Sequence, residues 1–258
     1  MFKFVVILTI VAFAIAHPTK ILQDPRIDVN TNWRVVGGTD AEAGAFPFIV
    51  SLRTTSNNLF CGGSIINNEW ILTAAHCIVG VGGNPAEVMV VAGTNTLNAG
   101  GVTHPASRFI VHGDFEYETL FNDVAVIQLA IPLSYTSVIG PVALNTADTG
   151  AVTATLIGWG LTSTEGYIPN NLQQLNTNTI THALCQSTWG SLVITSQICA
   201  FSAFGQGACF GDSGGPLVQA GSNVQLGIVS FGVACAQGFP DVYTRVSSFD
   251  SWITSSIA

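Results

Sequence analysis

The chain has 258 residues, 48% of them hydrophobic and only 9% charged, with 27 Gly and 6 Cys. That length supports one large domain or two small ones around a substantial buried core. The 7 Lys and Arg stand against 15 Asp and Glu, a formal net charge of −8. This excludes a nucleic-acid-binding surface, which needs clustered cations, and the high hydrophobicity excludes intrinsic disorder.

The chain opens on a leader. Met1-Phe2-Lys3 is a short basic start, and an apolar run from Phe4 ends small-x-small at Ala14-Ile15-Ala16 before the break His17-Pro18. The run is shorter than the ~20 residues that span a bilayer. It reads as a secretory signal peptide, residues 1–16, in preference to a membrane anchor. Residues 17–34 carry Lys20, Arg26, Arg34 and two Pro, with little apolar periodicity. Secretion makes Cys61, Cys77, Cys185, Cys199, Cys209 and Cys235 an even set expected to form three disulfides, with connectivity open. A zinc site is disfavoured, because the chain has no Cys-x-x-Cys and only His76-Cys77 sets two ligand types side by side.

From Val35-Val36-Gly37-Gly38 onward the sequence is Gly-rich and β-branched. Strands are predicted over Phe48–Leu52, Val88–Ala92, Val124–Leu129, Val152–Ile157, Val224–Val229 and Val242–Val246. Turn clusters at Ser56-Asn57-Asn58, Gly80–Pro85 and Asn98–Gly101 separate them. Short strands with frequent turns point to an all-β sandwich or barrel. One helix is predicted, at the end: Phe249, Trp252, Ile253 and Ile257 recur at helical spacing, with Ser247-Ser248 as the N-cap.

Gly211-Asp212-Ser213-Gly214-Gly215-Pro216 places small residues on both sides of a serine. Such flanks let the backbone turn sharply, expose the hydroxyl and aim neighbouring N–H groups at one spot, as an oxyanion hole requires. A plain Gly-rich turn with an Asp–Ser bond is the structural alternative. The segment also fits the nucleophile elbow of α/β-hydrolases, but there the histidine follows the serine, and no His follows Ser213. A base must come from upstream. His76 lies in Thr73-Ala74-Ala75-His76-Cys77, flanked by small residues and a cysteine that can pin its loop. His104 before Pro105 and His112 before Gly113 read as turn or surface residues, and His182 sits in a polar stretch. The acid candidate is Asp123, at the mouth of the apolar run Val124-Ala125-Val126, where burial is costly unless a partner bonds the carboxylate. A histidine partner would explain it.

These three motifs, in the order His, Asp, Ser, make the chain resemble the trypsin/chymotrypsin family of serine proteases from Val35 to Ala258. Subtilisins run Asp, His, Ser, and Asp40 could formally serve, but they are α/β proteins and this body reads as all-β. The resemblance implies two six-stranded antiparallel β-barrels within a protease domain 35–258, joined near Pro132–Pro141, with the triad in the cleft between them. It implies the disulfides Cys61–Cys77, Cys185–Cys199 and Cys209–Cys235. It further implies that Ser213 is the nucleophile, His76 its base, Asp123 the orienting acid, and the Gly211 and Ser213 amides the oxyanion hole. Ser230-Phe231-Gly232 would pair with the substrate main chain, with Ser230 also bonding Asp123. Cleavage of Arg34–Val35 would release the propeptide 17–34 and free the Val35 amine to pair with Asp212.

The pocket-floor position that carries Asp in trypsins is Gly207 here, while Asp241 occupies a wall position commonly Gly, with Gly232 opposite. This Gly–Asp exchange resembles arthropod chymotrypsin-like digestive proteases and serine collagenases, and implies a broad preference at the residue before the cut (P1). A turn role for Asp241 after Pro240 is the alternative. The stretch Ala92–Ser107, which matches the family's calcium loop, contains no carboxylate, so no metal is expected and no cofactor is implied. The chain has no Asn-x-Ser/Thr acceptor either. The expected partners are protein or peptide substrates, an activating trypsin-like protease and protein protease inhibitors, for a monomer with no membrane or nucleic-acid role. A digestive, secreted enzyme of the gut lumen is favoured over a cascade protease or a catalytically dead binding scaffold. From Val35 onward only Arg53, Arg108 and Arg245 remain against 13 acids, a net of −10, so an activator of trypsin type has few further sites to cut.

Overall fold

Short β-branched strands can satisfy their backbone polar groups only by pairing with one another, and in this chain the pairing closes on itself twice. The structure, a computed structural model, describes residues 35–258. The segments expected as signal peptide (1–16) and propeptide (17–34), with the Arg34 side of the activation bond, lie outside the described residues. A short strand β1 (Thr39–Asp40) leads into β2 (Ile49–Thr54), β3 (Leu59–Ile65), β4 (Trp70–Thr73), β5 (Val88–Ala92), β6 (Val102–Val111) and β7 (Ala125–Leu129). The last six form a closed barrel in the order β2-β3-β4-β7-β6-β5.

Then follow β8 (Ala143–Leu144), β9 (Thr153–Gly158), β10 (Gln173–Ile180), β11 (Gln197–Phe201), β12 (Pro216–Gln219), β13 (Val224–Phe231) and β14 (Asp241–Arg245). Here β10-β11-β14-β13-β12-β9 closes through the β10–β9 pairing into a second six-stranded barrel, with β1 added on β10 and β8 on β13. The two antiparallel barrels are those the resemblance implies. No helix among the described residues is long and apolar enough to cross a membrane.

The apolar residues of the first barrel, among them Phe48, Leu52, Ile65, Ile71 and Ile127, are fully buried. Each such side chain contributes roughly 1.5–3 kcal/mol by leaving water. Their cluster continues into Ile157, Val218, Ile228 and Val246 of the second barrel, so the barrels share a core. Polar bonds fix the register of that junction. Ser64 Oγ donates to Gln225 Oε1 at 2.6 Å between two fully buried side chains, and Gly62 N–H donates to the carbonyl of Ser213 at 2.8 Å. Between β7 and β9 the chain makes only the short β8, and the linker expected near Pro132–Pro141 lies in this interval.

Several local readings are corrected. Three α-helices form: α1 (Ala75–Gly80), α2 (His182–Trp189) and α3 (Asp250–Ser256). The terminal helix is capped at Phe249, not at Ser247-Ser248, which fall in a 3₁₀ turn, Val246–Ser248. The Phe249 and Trp252 rings lie 5.3 and 5.1 Å from His112, so packing against the first barrel sets the start of the helix. Helix α2 has a side-chain cap in Thr181, whose hydroxyl accepts from Leu184 N–H, a signal masked by its polar composition. His104 is no turn residue. It is buried on β6, its Nδ1 paired with the Ile131 carbonyl, because Pro105 is tolerated within that strand.

The loop matching the family's calcium loop is tied by its own side chains. Thr94 and Thr96 hydroxyls donate to the Ala99 carbonyl, and the buried Arg53 guanidinium donates to the Leu97 carbonyl from beneath. Arg53, Arg108 and Arg245 all lie within hydrogen-bonded strands β2, β6 and β14, where no protease can draw the chain into an extended strand of its own. Incubating the 35–258 body with an Arg-cutting protease is expected to leave it intact by mass spectrometry. Fragments ending at Arg53, Arg108 or Arg245 under native conditions would contradict this placement.

Candidate active site

The site lies where the two barrels meet. β4 ends in Thr73, and Thr73, Ala74 and Ala75 are fully buried, so only small residues fit as the chain turns into α1. His76 is the second residue of that helix, and the Cys61–Cys77 disulfide ties it to β3. Asp123 approaches from the segment before β7, where Leu120 and Asn122 adopt positive φ of 55° and 56°. Such backbone is costly for Leu and tolerated by Asn. The Asn122 side chain secures the turn by donating to the Asp114 carbonyl at 2.8 Å.

Asp123 is fully buried, and its carboxylate accepts three hydrogen bonds: from His76 N–H at 2.9 Å, His76 Nδ1 at 2.8 Å and Ser230 Oγ at 2.6 Å. Because a carboxylate only accepts, the neutral imidazole carries its proton on Nδ1 and leaves Nε2 as the acceptor. Thr244 Oγ1 donates to the Asp123 backbone carbonyl at 2.7 Å. Ser230 on β13 and Thr244 on β14 thus hold the acid from the second barrel, His76 from the first. Thr244 carries no motif that marks it in the sequence. Its role comes from register alone.

Ser213 and His76 line one cleft. Among the described residues Ser213 Oγ makes no hydrogen bond, so the His–Ser contact is the open link, as is common before substrate binds. Gly211 (φ 101°) and Gly214 (φ 76°) flank the serine in backbone that disfavours any side chain. A Cβ on Gly214 would also stand 2.7 Å from the Gly62 carbonyl. The amides of Asp212, Gly214 and Gly215 bond to Cys209, Val229 and Asp212 carbonyls, whereas those of Gly211 and Ser213 find no acceptor among the described residues. Two neighbouring free donors beside the half-buried Ser213 can hold a developing oxyanion.

Behind this loop Asp212 is buried, with no cation beside it among the described residues. Its oxygens accept from Gly160 N–H at 2.7 Å and Cys209 N–H at 3.0 Å. Loss of water raises its pKa to about 6, and these two bonds hold the rise in check. Val35 is fully buried in the second barrel's core, and the Val36 carbonyl accepts from Gly207 N–H.

Beside Ser213 a cavity of about 210 Å³ is lined by Ala208, Val229, Phe231, Gly232 and Asp241 among others. The disulfide Cys209–Cys235 closes one side, while Cys185–Cys199 joins α2 to β11. Asp241 reaches the cavity floor and accepts from Ala208 N–H at 2.8 Å. A Cβ on Gly207 would stand 2.6 Å from one of its oxygens, and a Cβ on Gly232 2.9 Å from the other. The two glycines make the room that the carboxylate fills. Burial raises the Asp241 pKa to about 7, the Ala208 bond opposes the rise, and the nearby Asp212 charge adds to it. The wall is braced from outside. Trp189 stacks edge-on with Phe231 at 5.4 Å and donates Nε1–H to the Pro240 carbonyl, a support with no sequence signature. Cys61, His76 and Cys77 also cluster, but both sulfurs belong to the disulfide and offer no thiolate to a metal.

The family profile described as Trypsin matches residues 35–253. The chain is 44% identical over 222 residues to chymotrypsin-2 of Vespa crabro, covering 85% of this chain and 98% of that protein. It is 38% identical over 261 residues to trypsin delta of Drosophila erecta, covering 98% of each. Trypsin beta of Drosophila erecta is 37% identical over 264 residues, 99% of this chain and all of that protein. The chain therefore belongs to the trypsin family and is a serine endopeptidase that acts on protein substrates.

Proposed function

We propose that the chain is a secreted digestive endopeptidase, made as a zymogen, that works through Ser213, His76 and Asp123. The observation that carries this reading is the 2.8 Å bond from His76 Nδ1 to buried Asp123, which leaves Nε2 basic at the cleft shared with Ser213. His76 removes the Ser213 proton as Oγ attacks the scissile carbonyl carbon. The carbonyl electrons move onto oxygen, held by the free amides of Gly211 and Ser213. Collapse of the tetrahedral species breaks the C–N bond, and His76 returns the proton to the departing amine. Water, deprotonated by His76, then releases the acyl group. Ser230-Phe231-Gly232 offers an edge on which the acyl half pairs as an added strand. Nucleophile, base and oxyanion donors all come from the chain, and no cofactor enters.

Secretion rests on the leader 1–16, and activation on the Arg34–Val35 bond that ends the propeptide 17–34. The protease domain proper is 35–258. A buried carboxylate with two amide bonds and, among the described residues, no cation is a natural seat for the freed Val35 ammonium. Removing one member of such a buried pair costs ~3–5 kcal/mol, enough to govern the neighbouring oxyanion loop. An activating trypsin-like protease and protein inhibitors that enter the same cleft are the partners of this monomer, and the gut lumen its site of action. A fluorophosphonate probe is expected to label Ser213 rapidly after cleavage at Arg34. Labelling should be weak before cleavage or once the Val35 amine is acetylated, and absent in Ser213→Ala. Equal labelling of the acetylated enzyme would refute the activation reading, and no labelling of the cleaved enzyme would refute the triad.

The P1 cavity combines apolar walls with a buried acid, so it accepts large apolar and aromatic side chains and also Arg or Lys. Asp241 is neutral below about pH 7 and charged above it, and only the charged form attracts a cation. The ratio of kcat/KM for an Arg-P1 peptide to that for a Phe-P1 peptide is therefore expected to rise as pH passes through 7. Any ionisation that affects both substrates alike cancels in the ratio, which reports the free enzyme. Asp241→Gly should flatten the ratio and spare Phe cleavage. A wild-type ratio independent of pH, or strict Arg/Lys cleavage in a P1 panel, would overturn this assignment.

A further inference from the structure

Asp123 follows a turn in which Leu120 and Asn122 both hold positive φ. Bonds within its own loop secure part of that turn: Asn122 Nδ2 donates to the Asp114 carbonyl, and Glu116 N–H to the Phe121 carbonyl. The Leu120 carbonyl has one donor among the described residues, Nε2 of Gln197 at 3.4 Å. Gln197 opens β11 in the second barrel and is 2% exposed. Its Oε1 accepts from Ile194 N–H at 2.9 Å, so the amide is held one way round and Nε2 faces Leu120. The backbone behind it is fixed as well. Gln197 N–H donates to the Ile194 carbonyl, and Arg245 Nη2 donates to the Gln197 carbonyl. Gln197 is also the cross-strand partner of Thr244. Residues paired in this way present their side chains on the same face of a sheet, and here that face meets the Asp123 turn. Thr244 Oγ1 donates to the carbonyl at one end of the turn, that of Asp123, and Gln197 Nε2 to the carbonyl at the other.

We propose that Gln197 is a positioning residue for catalysis: with Thr244 it clamps both ends of the strained turn and so aims the Asp123 carboxylate at His76. The proposal rests on the catalytic reading above. Leucine keeps a left-handed backbone only where surrounding contacts over-determine it. Without the Gln197 donor, Leu120 is free to relax, and its relaxation rotates the peptide units that lead to Asp123. A carboxylate displaced in this way no longer meets the His76 N–H and Nδ1 together. Gln197 lines neither the P1 cavity nor the cleft shared by His76 and Ser213, so its influence on the reaction passes through Asp123. It has no mark in the sequence, because its role depends on pairing with Thr244 and on a turn 77 positions away.

A double-mutant cycle with Asp123 tests this, because a residue that works through another has no effect once the other is disabled. Gln197→Met and Gln197→Leu both remove the donor and keep an apolar side chain of similar size, and whichever folds by circular dichroism carries the cycle. On an aromatic-P1 peptide anilide the activated variant should lose kcat on the order of tenfold, as a small misplacement of a catalytic group does. KM should stay within about twofold, since no binding contact is removed. In the Asp123→Asn background the same substitution should cost nothing further. The downfield proton NMR signal of His76 Nδ1–H should shift or broaden in the single variant. An equal loss of kcat in both backgrounds would assign Gln197 to the fold alone and overturn the proposal. Unchanged kcat with an unchanged Nδ1–H signal, or a loss confined to KM, would overturn it as well. An Asp123→Asn enzyme as active as the parent would instead overturn the catalytic reading beneath it.

Discussion

A carboxylate removed wholly from water must be satisfied by the protein around it, and the Asp123 carboxylate is satisfied from both barrels at once. His76 donates two bonds from the first barrel and Ser230 one from the second. Thr244, also of the second barrel, bonds the Asp123 backbone carbonyl. The acid thus fixes the His76 ring and acts as a bolt between the two closed sheets. Any slip of one barrel against the other would strand a buried charge, a far larger cost than the loss of one surface contact. The precision of the cleft follows from that constraint, supported by the shared core and the buried Ser64–Gln225 bond.

Three buried acids lie around the candidate site, and they differ in how many donors reach them. Asp123 accepts three bonds, Asp212 two and Asp241 one. The fewer donors a buried acid has, the more it gains from a cation that arrives later. On the proposed reading Asp212 takes such a cation once, at activation, and Asp241 takes one with each basic substrate. Their raised pKa values, about 6 and about 7, are the physical mark of that unfinished solvation. The low content of Arg and Lys after Val35 fits the same scheme, since Arg53 donates to Ser51, Asn57 and Leu97 and Arg245 is spent on Asp148, Thr195 and Gln197.

Much of this was legible in the sequence because local chemistry wrote it there. Ser213 stands out through its glycine neighbours, His76 through Ala74, Ala75 and Cys77, and Asp123 through its odd place at the start of an apolar strand. The Gly207–Asp241 exchange was readable as a charge moved within the pocket, and the cavity has room for that carboxylate because Gly207 and Gly232 lack a Cβ. What stayed hidden depends on register and on contacts between distant segments. Thr244 has no local signature, His104 looked like a turn residue because Pro105 follows it, and Ser247-Ser248 looked like a cap until Phe249 packed on His112. The apolar cleft beside His76 gathers residues from β3, α1 and three loops, none of which forms a motif.

On the proposed mechanism the Asp123 carboxylate sets the imidazole tautomer on which the chemistry runs. Asp123→Asn keeps the size of the side chain and replaces one accepting oxygen with a donor. Steady-state kinetics on the activated variant, shown by circular dichroism to remain folded, test the claim directly. A fall in kcat of about 10⁴ at neutral pH is expected. A folded Asp123→Asn enzyme within tenfold of the parent would contradict it.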